Sequence, residues 1–140
     1  MSPFFRWLGV SGIALGCDGQ VLLIDPFLTR FSPGSLLRPL RSDRATLARY
    51  LPQADWILVS HPHWDHLFDV PALVSQTGSP AYGSRNSELL LRAAGVPTEN
   101  SRRIAVGDRP ALGPFQVTIL PAEHVTLLGR VPLQGRLRAP

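Results

Sequence analysis

The run Trp56-Ile57-Leu58-Val59 is apolar at every position and leads through Ser60 into His61-Pro62-His63-Trp64-Asp65-His66. Such a segment has no side to turn toward water. The stretch 55–60 therefore predicts a strand covered on both faces, as inside a layered α/β sheet. The strand also delivers three of the four histidines of the chain to one sheet edge. Pro62 biases His61 toward extended backbone, and residues two apart in extended chain share a face, so His61 and His63 can aim at one point. Imidazole and carboxylate are ligands for a zinc-like ion, and 61–66 reads as a metal-motif loop.

Other elements follow from turn and cap chemistry. Residues 4–25 read as a β-meander with strands over 4–10, 12–17 and 20–25. Asp18-Gly19 is its clearest turn, and Asp25-Pro26 closes the third strand. Residues 27–41, rich in Pro, Gly, Ser and Arg, form a loop at the mouth of a site. Ser42 caps a helix over 43–50 with Leu47 and Tyr50 inward, stopped at Pro52. Asp69 caps a helix over 70–76 that Gly78 ends, and Ser84 caps another over 85–94 that Gly95 and Pro97 end. Ala81-Tyr82 is a short strand, 103–106 and 110–112 are extended pieces, and 115–120 alternates as a strand. The tail, 125–140, has no clear period. Strands with intervening helices define one α/β domain over 1–140, with a sheet that the opening meander makes mixed.

At 140 residues, 44% hydrophobic and 17% charged, the chain can bury a core and is not a disordered segment. The formal net charge of +4 comes from 14 basic residues, all arginine. Only Arg102 and Arg103 are adjacent and no basic tract interleaves with aromatics, so no nucleic-acid partner is indicated. Arginines beside a metal cleft would instead suit a small-molecule substrate that is phosphorylated or otherwise anionic. Cys17 is the only cysteine and supports no disulfide framework. It reads as an inert thiol in a reducing compartment, and the expected location is cytoplasmic. No apolar stretch is long enough for a transmembrane segment. Residues 6–17 offer a competing signal-peptide reading, but three glycines and the run through Asp18-Gly19 into Val21-Leu22-Leu23-Ile24 favour a hairpin.

Two histidines make a weak site, and His124 is the remaining candidate, in Pro121-Ala122-Glu123-His124 just past a strand. Three histidines and an open position form the arrangement used for metal hydrolysis. Asp65 and His66 could reach a second ion, with Asp65 also orienting or deprotonating the attacking water. Asp25 either partners a ligand histidine or caps a turn. Trp64 either lines the pocket or is a buried spacer, and Asp69 reads as a helix cap rather than a ligand.

At these residues the chain resembles the metallo-β-lactamase fold superfamily of metal-dependent hydrolases. The resemblance rests on Val21-Leu22-Leu23-Ile24-Asp25-Pro26, on Ile57 to His66, and on His124 after a strand. The spacing is similar to the branch with ascorbate-6-phosphate lactonase-like and N-acyl-phosphatidylethanolamine phospholipase D-like proteins. It implies His61, His63 and His124 on a first metal and Asp65 and His66 on a second. Zinc is the expected ion, one or two per chain, with manganese and iron as alternatives. The implied fold is the N-terminal half of a four-layer αββα sandwich, a mixed sheet with flanking helices. The family also uses a bridging aspartate and a further histidine from its second half, whereas no Asp, Glu, His or Cys follows His124. The expectation is therefore a partial form of a longer enzyme, weakly active or inactive alone, whose uncovered sheet face promotes self-association.

Three functions compete. The first is hydrolysis of an ester, lactone or phosphodiester by metal-activated water. The second is a non-catalytic metal-binding or interaction fragment, and the third is a nuclease of the same superfamily.

Overall fold

The computed structural model describes residues 2–32, 34, 37, 39–122 and 137. Its centre is a six-stranded sheet in chain order. Strands β1 (Phe4–Gly9), β2 (Gly12–Cys17) and β3 (Gln20–Ile24) form the antiparallel meander. Asp18 and Gly19 both have positive φ, 50° and 78°, which lets a two-residue turn follow the twist of the strands it joins. β4 (Trp56–Val59), β5 (Ala81–Gly83) and β6 (Ser101–Arg103) then add in parallel, so the sheet is mixed.

Helices α1 (Arg44–Tyr50), α3 (Val70–Thr77) and α4 (Arg85–Ala93) cover one face. Alternation within the strands decides which side chains meet them. Ala14, Val21, Leu23, Ile57, Val59 and Ala81 face Leu47, Val70, Leu73 and Leu91 in the main core. The alternate residues Leu22 and Leu58 join Leu112 in a second, smaller cluster, flanked by half-buried Leu15, Ile24, Trp56, Tyr82 and Phe115. Among the described residues that side carries no helix. A hairpin of β7 (Ala111–Leu112) and β8 (Phe115–Gln116) covers part of it. Gly113, at the hairpin turn with φ +56°, has no room for a Cβ, which would strike the Trp56 ring and the Gln20 amide. By register with Leu15 and Ile13, Phe5 and Trp7 point to the same helix-free side, where each is 67% exposed.

Several local expectations are corrected. The cap of α1 is Asp43, not Ser42: its carboxylate accepts from the Thr46 N–H at 3.0 Å and from the Thr46 hydroxyl at 2.7 Å. Ser42 instead donates to the Phe68 carbonyl. Leu47 and Leu51 are buried, but Tyr50 lies on the outer side of the helix and is 51% exposed. The extended piece read over 103–106 lies earlier, as strand β6. The strand over 115–120 is reduced to β8, although Val117 and Ile119 still donate to Pro110 and Asp108. Pro110 has no N–H to return, which ends the regular ladder there. The tail expected over 125–140 falls outside the described residues except at Leu137.

Candidate metal centre

β3 and β4 run parallel, so their C-terminal ends lie side by side, and Asp25 and Ser60 follow them directly. Carboxyl ends of neighbouring parallel strands are the usual place for a ligand in an open α/β sheet. Asp25 continues the pairing through its N–H to the Leu58 carbonyl at 2.9 Å, then turns with φ 46°. Left-handed backbone is uncommon outside glycine, though Asp tolerates it better than most. Strain of this kind gathers at functional sites. Here it accompanies a carboxylate that is 6% exposed and turned toward the histidine motif.

Asp25 Oδ1 accepts from the Ser60 N–H at 2.8 Å, and Oδ2 accepts from the Ser60 hydroxyl at 2.6 Å. His66 Nδ1 lies 2.9 Å from the same Oδ2, with Ser11 Oγ from the β1–β2 turn 3.2 Å away. A carboxylate only accepts, so this network puts the His66 proton on Nδ1 and the lone pair on Nε2. His61 follows the same logic. The Ser60 hydroxyl spends its one hydrogen on Asp25, so at 3.0 Å from His61 Nδ1 it acts as acceptor. His61 then carries its lone pair on Nε2 as well. Carboxylate-to-histidine support that fixes the tautomer is the arrangement expected behind a metal ligand. Of the two readings of Asp25, the geometry matches the partner of a histidine.

The expected loop 61–66 contains a helical turn, α2 (Trp64–Leu67), with His63 as its extended N-cap. This turn swings Asp65 and His66 to one side. Asp65 Oδ2 lies 3.8 Å from His66 Nε2. Two ligands at about 2.1 Å from one tetrahedral ion stand about 3.4 Å apart, so the pair fits one cation after a small closure. The His61 ring centre is 3.8 Å from that of His66 and 4.6 Å from that of His63. Three imidazoles and a carboxylate thus lie in one cluster. Among the described residues no three His, Cys, Asp or Glu groups already close on one metal position. The donor chemistry, imidazole nitrogen and carboxylate oxygen, is of the kind that divalent cations take. His124 lies outside the described residues.

Two residues behave differently from expectation. Asp69 does not cap α3 with its side chain; it is fully buried and accepts from the Leu28 N–H and Thr29 N–H, each at 2.8 Å, and from the Thr29 hydroxyl at 2.6 Å. Thr29 Oγ1 in turn accepts from the Asp43 N–H at 2.8 Å. Asp69 thereby ties the start of the 27–41 loop to α3 and α1. An Asp before an apolar helix carries the same local signal whether it caps or clips, and the loop partners are about forty residues away in sequence, which hid this role. Trp64 is no buried spacer: it is 61% exposed, beside Phe27 and Phe31. Ser60 and Ser11 complete the histidine network; Ser60 lies within the motif run but had no role assigned, and Ser11 had no motif to announce it.

A mixed sheet layered by helices on one side, with a histidine–aspartate cluster at the carboxyl ends of two parallel strands, places the chain in the metallo-β-lactamase fold. The chain belongs to the beta-lactamase superfamily domain family, whose model matches residues 20–136. A UPF0173 metal-dependent hydrolase of Carboxydothermus hydrogenoformans is 33% identical over 128 residues, covering 91% of this chain and 50% of that protein. One from Methanopyrus kandleri is 30% identical over 118 residues, covering 84% and 46%. The chain spans about half the length of the curated relatives it matches. Igni18, a metallo hydrolase of Ignicoccus hospitalis, shares the fold with a TM-score of 0.59 at 21% identity, covering 91% of this chain and 52% of that one. CmlA, a diiron beta-hydroxylase of Streptomyces venezuelae, does so at 0.60 and 20% identity, covering 87% and 24%. One architecture thus serves proteins with different reaction names, and the fold alone selects no substrate. Among the described residues no helix is long and apolar enough to cross a membrane.

Proposed function

We propose that this chain carries the principal metal ligands of a hydrolase that cleaves an ester, lactone or phosphodiester with metal-activated water. The observation that carries the reading is the Asp25–His66–Asp65 arrangement, a buried carboxylate that orients a histidine whose outer nitrogen lies 3.8 Å from a second carboxylate. His61 and His63, joined by His124, would hold one ion, and Asp65 and His66 a second. Zinc is the default for this nitrogen-and-oxygen donor set, with manganese or iron as alternatives. A divalent cation held there supplies Lewis-acid polarisation of the substrate oxygen and activation of water. Asp25 holds the Nδ1 proton of His66 and fixes the ring. Asp65 would serve as a ligand there and would orient or deprotonate the attacking water. The expected substrate is a small phosphorylated or otherwise anionic molecule.

The test is turnover of bis(p-nitrophenyl) phosphate and of a simple lactone by the chain loaded with zinc, manganese or iron. Hydrolysis of at least one, lost with chelator and restored by metal, is the expected result. Metal uptake with no turnover of either would favour the non-catalytic reading. Cleavage confined to RNA or DNA, weakening steeply with salt, would favour a nuclease.

A further inference from the structure

Asp69 carries a fully buried carboxylate that caps no helix. Such a group is costly to bury unless donors fill its oxygens. Here Oδ2 accepts from the Leu28 N–H and the Thr29 N–H at 2.8 Å each, and Oδ1 accepts from the Thr29 hydroxyl at 2.6 Å. All three donors belong to the segment that leaves β3. That segment also carries Asp25, whose Oδ2 meets His66 Nδ1 at 2.9 Å. The Leu28–Asp69 bond and the Asp25–His66 contact each join residues 41 apart. They are successive ties between the same two stretches of chain, three residues along on each.

Both stretches are stiff between the ties. On one, Pro26 and Phe27 are buried, and proline fixes its own φ. On the other, Leu67 and Phe68 continue the α2 turn, donating to the His63 and Trp64 carbonyls at 3.0 and 2.9 Å, and the Asp69 carbonyl accepts from the Leu73 N–H at 3.0 Å to begin α3. Thr29 is braced in turn. Its Oγ1 accepts from the Asp43 N–H at 2.8 Å, so its one hydroxyl hydrogen is committed to Asp69. Arg30 Nη1 adds bonds to the Phe27 and Thr29 carbonyls at 3.1 Å each. On its β4 side Asp25 is held by Ser60. A shift at Leu28 and Thr29 therefore reaches Asp25 with little slack to absorb it.

We infer that Asp69 is a positioning residue of the metal centre: it holds the segment leaving β3 at the spacing from α2 that keeps Asp25 Oδ2 on His66 Nδ1. Asp69 thereby keeps the His66 proton on Nδ1 and leaves the Nε2 lone pair for a cation. Ligand geometry is set by such supporting bonds as much as by the ligands themselves. This rests on the metal-centre reading for what Nε2 faces; the tautomer itself does not depend on metal.

Long-range proton–nitrogen NMR correlations of the histidine rings, recorded on the metal-free chain with the imidazoles neutral, report the tautomer, and competitive titration reports zinc affinity. The unmodified chain is expected to hold His66 in the Nδ1–H form. Asp69→Asn sets an amide N–H where the Thr29 hydroxyl or the two backbone donors need an acceptor. Thr29→Val deletes the hydroxyl at nearly unchanged volume. Each should turn His66 into a mixture of tautomers and lower zinc affinity by about threefold to tenfold, less than the loss of a direct partner. Thr29→Ser, which keeps the hydroxyl, should match the unmodified chain in both readouts. Leu91→Ala, a truncation in the core under α4, should lower the melting temperature yet leave both unchanged, which separates positioning from general loss of stability. Should Asp69→Asn fail to fold, the two Thr29 variants carry the test. A mixture of tautomers in the unmodified chain, an unchanged His66 in Thr29→Val, or the same change in Thr29→Ser or Leu91→Ala would overturn the inference. Absence of zinc uptake by the unmodified chain would remove the metal-centre reading, while the tautomer still decides the role of Asp69.

Discussion

Asp25 shows how much one side chain organises. Its backbone ends the β3–β4 pairing, its φ is strained, and its carboxylate holds Ser60 and His66 together. Asp25→Asn keeps the shape but replaces one acceptor oxygen with an N–H donor group facing either Ser60 or His66. Either orientation removes the negative charge behind the His66 Nδ1–H, and one of the two sets a donor against it. The expected outcome is metal affinity lower by about tenfold to a hundredfold, read by competitive zinc titration, with little change in the circular dichroism of the fold. The sequence made His61, His63, Asp65 and His66 visible because their donors fall in six residues. Asp25 was visible only as one of two readings, since a strand-ending Asp before Pro looks alike in either role. Ser11 and Asp69 were opaque because their partners are distant in sequence.

At the scale of elements, cap chemistry decides where α1 begins. Asp43 is held below the usual carboxylate pKa by the Thr46 N–H first and the Thr46 hydroxyl second. A carboxyl whose folded value is depressed contributes stability above its unfolded value, near 3.8, and loses that contribution as pH falls through the lower folded value. Protection of the Thr46 amide against hydrogen exchange should therefore decline in acid below about pH 3.8, while Asp43→Ala should show weak protection at every pH. Ser42 and Asp43 are both good caps on paper, and only the engagement of Ser42 with Phe68 separates them. The same limit applies to the 115–120 stretch. Its alternation is real, yet Pro110 on the opposing segment removes the donor that would have extended β8. The meander, the buried strand and the three helices of the core face were legible because each repeats one local signal over several residues.

For the whole molecule, the two sheet faces have different fates. The helix side is closed by a continuous apolar core, whereas among the described residues the opposite side is covered in part by the β7–β8 hairpin, with Phe5 and Trp7 exposed. We propose that this 140-residue chain associates with itself through that face. Sedimentation velocity should show mass rising with concentration, and Phe5→Ser with Trp7→Ser should shift the population toward monomer. A monomer at all concentrations in the unmodified chain would count against it. The face was foreseeable from the strand alternation, while the hairpin's partial cover was not, because it depends on Gly113 fitting closely against Trp56.

The central claim is that the cluster at the ends of β3 and β4 binds divalent metal through the histidine motif. The direct measurement is zinc stoichiometry by titration and elemental analysis for the chain and for its His61→Ala/His63→Ala double variant. The account predicts uptake of at least one equivalent by the chain and loss of at least one equivalent in the variant. Full zinc stoichiometry in the double variant would contradict it.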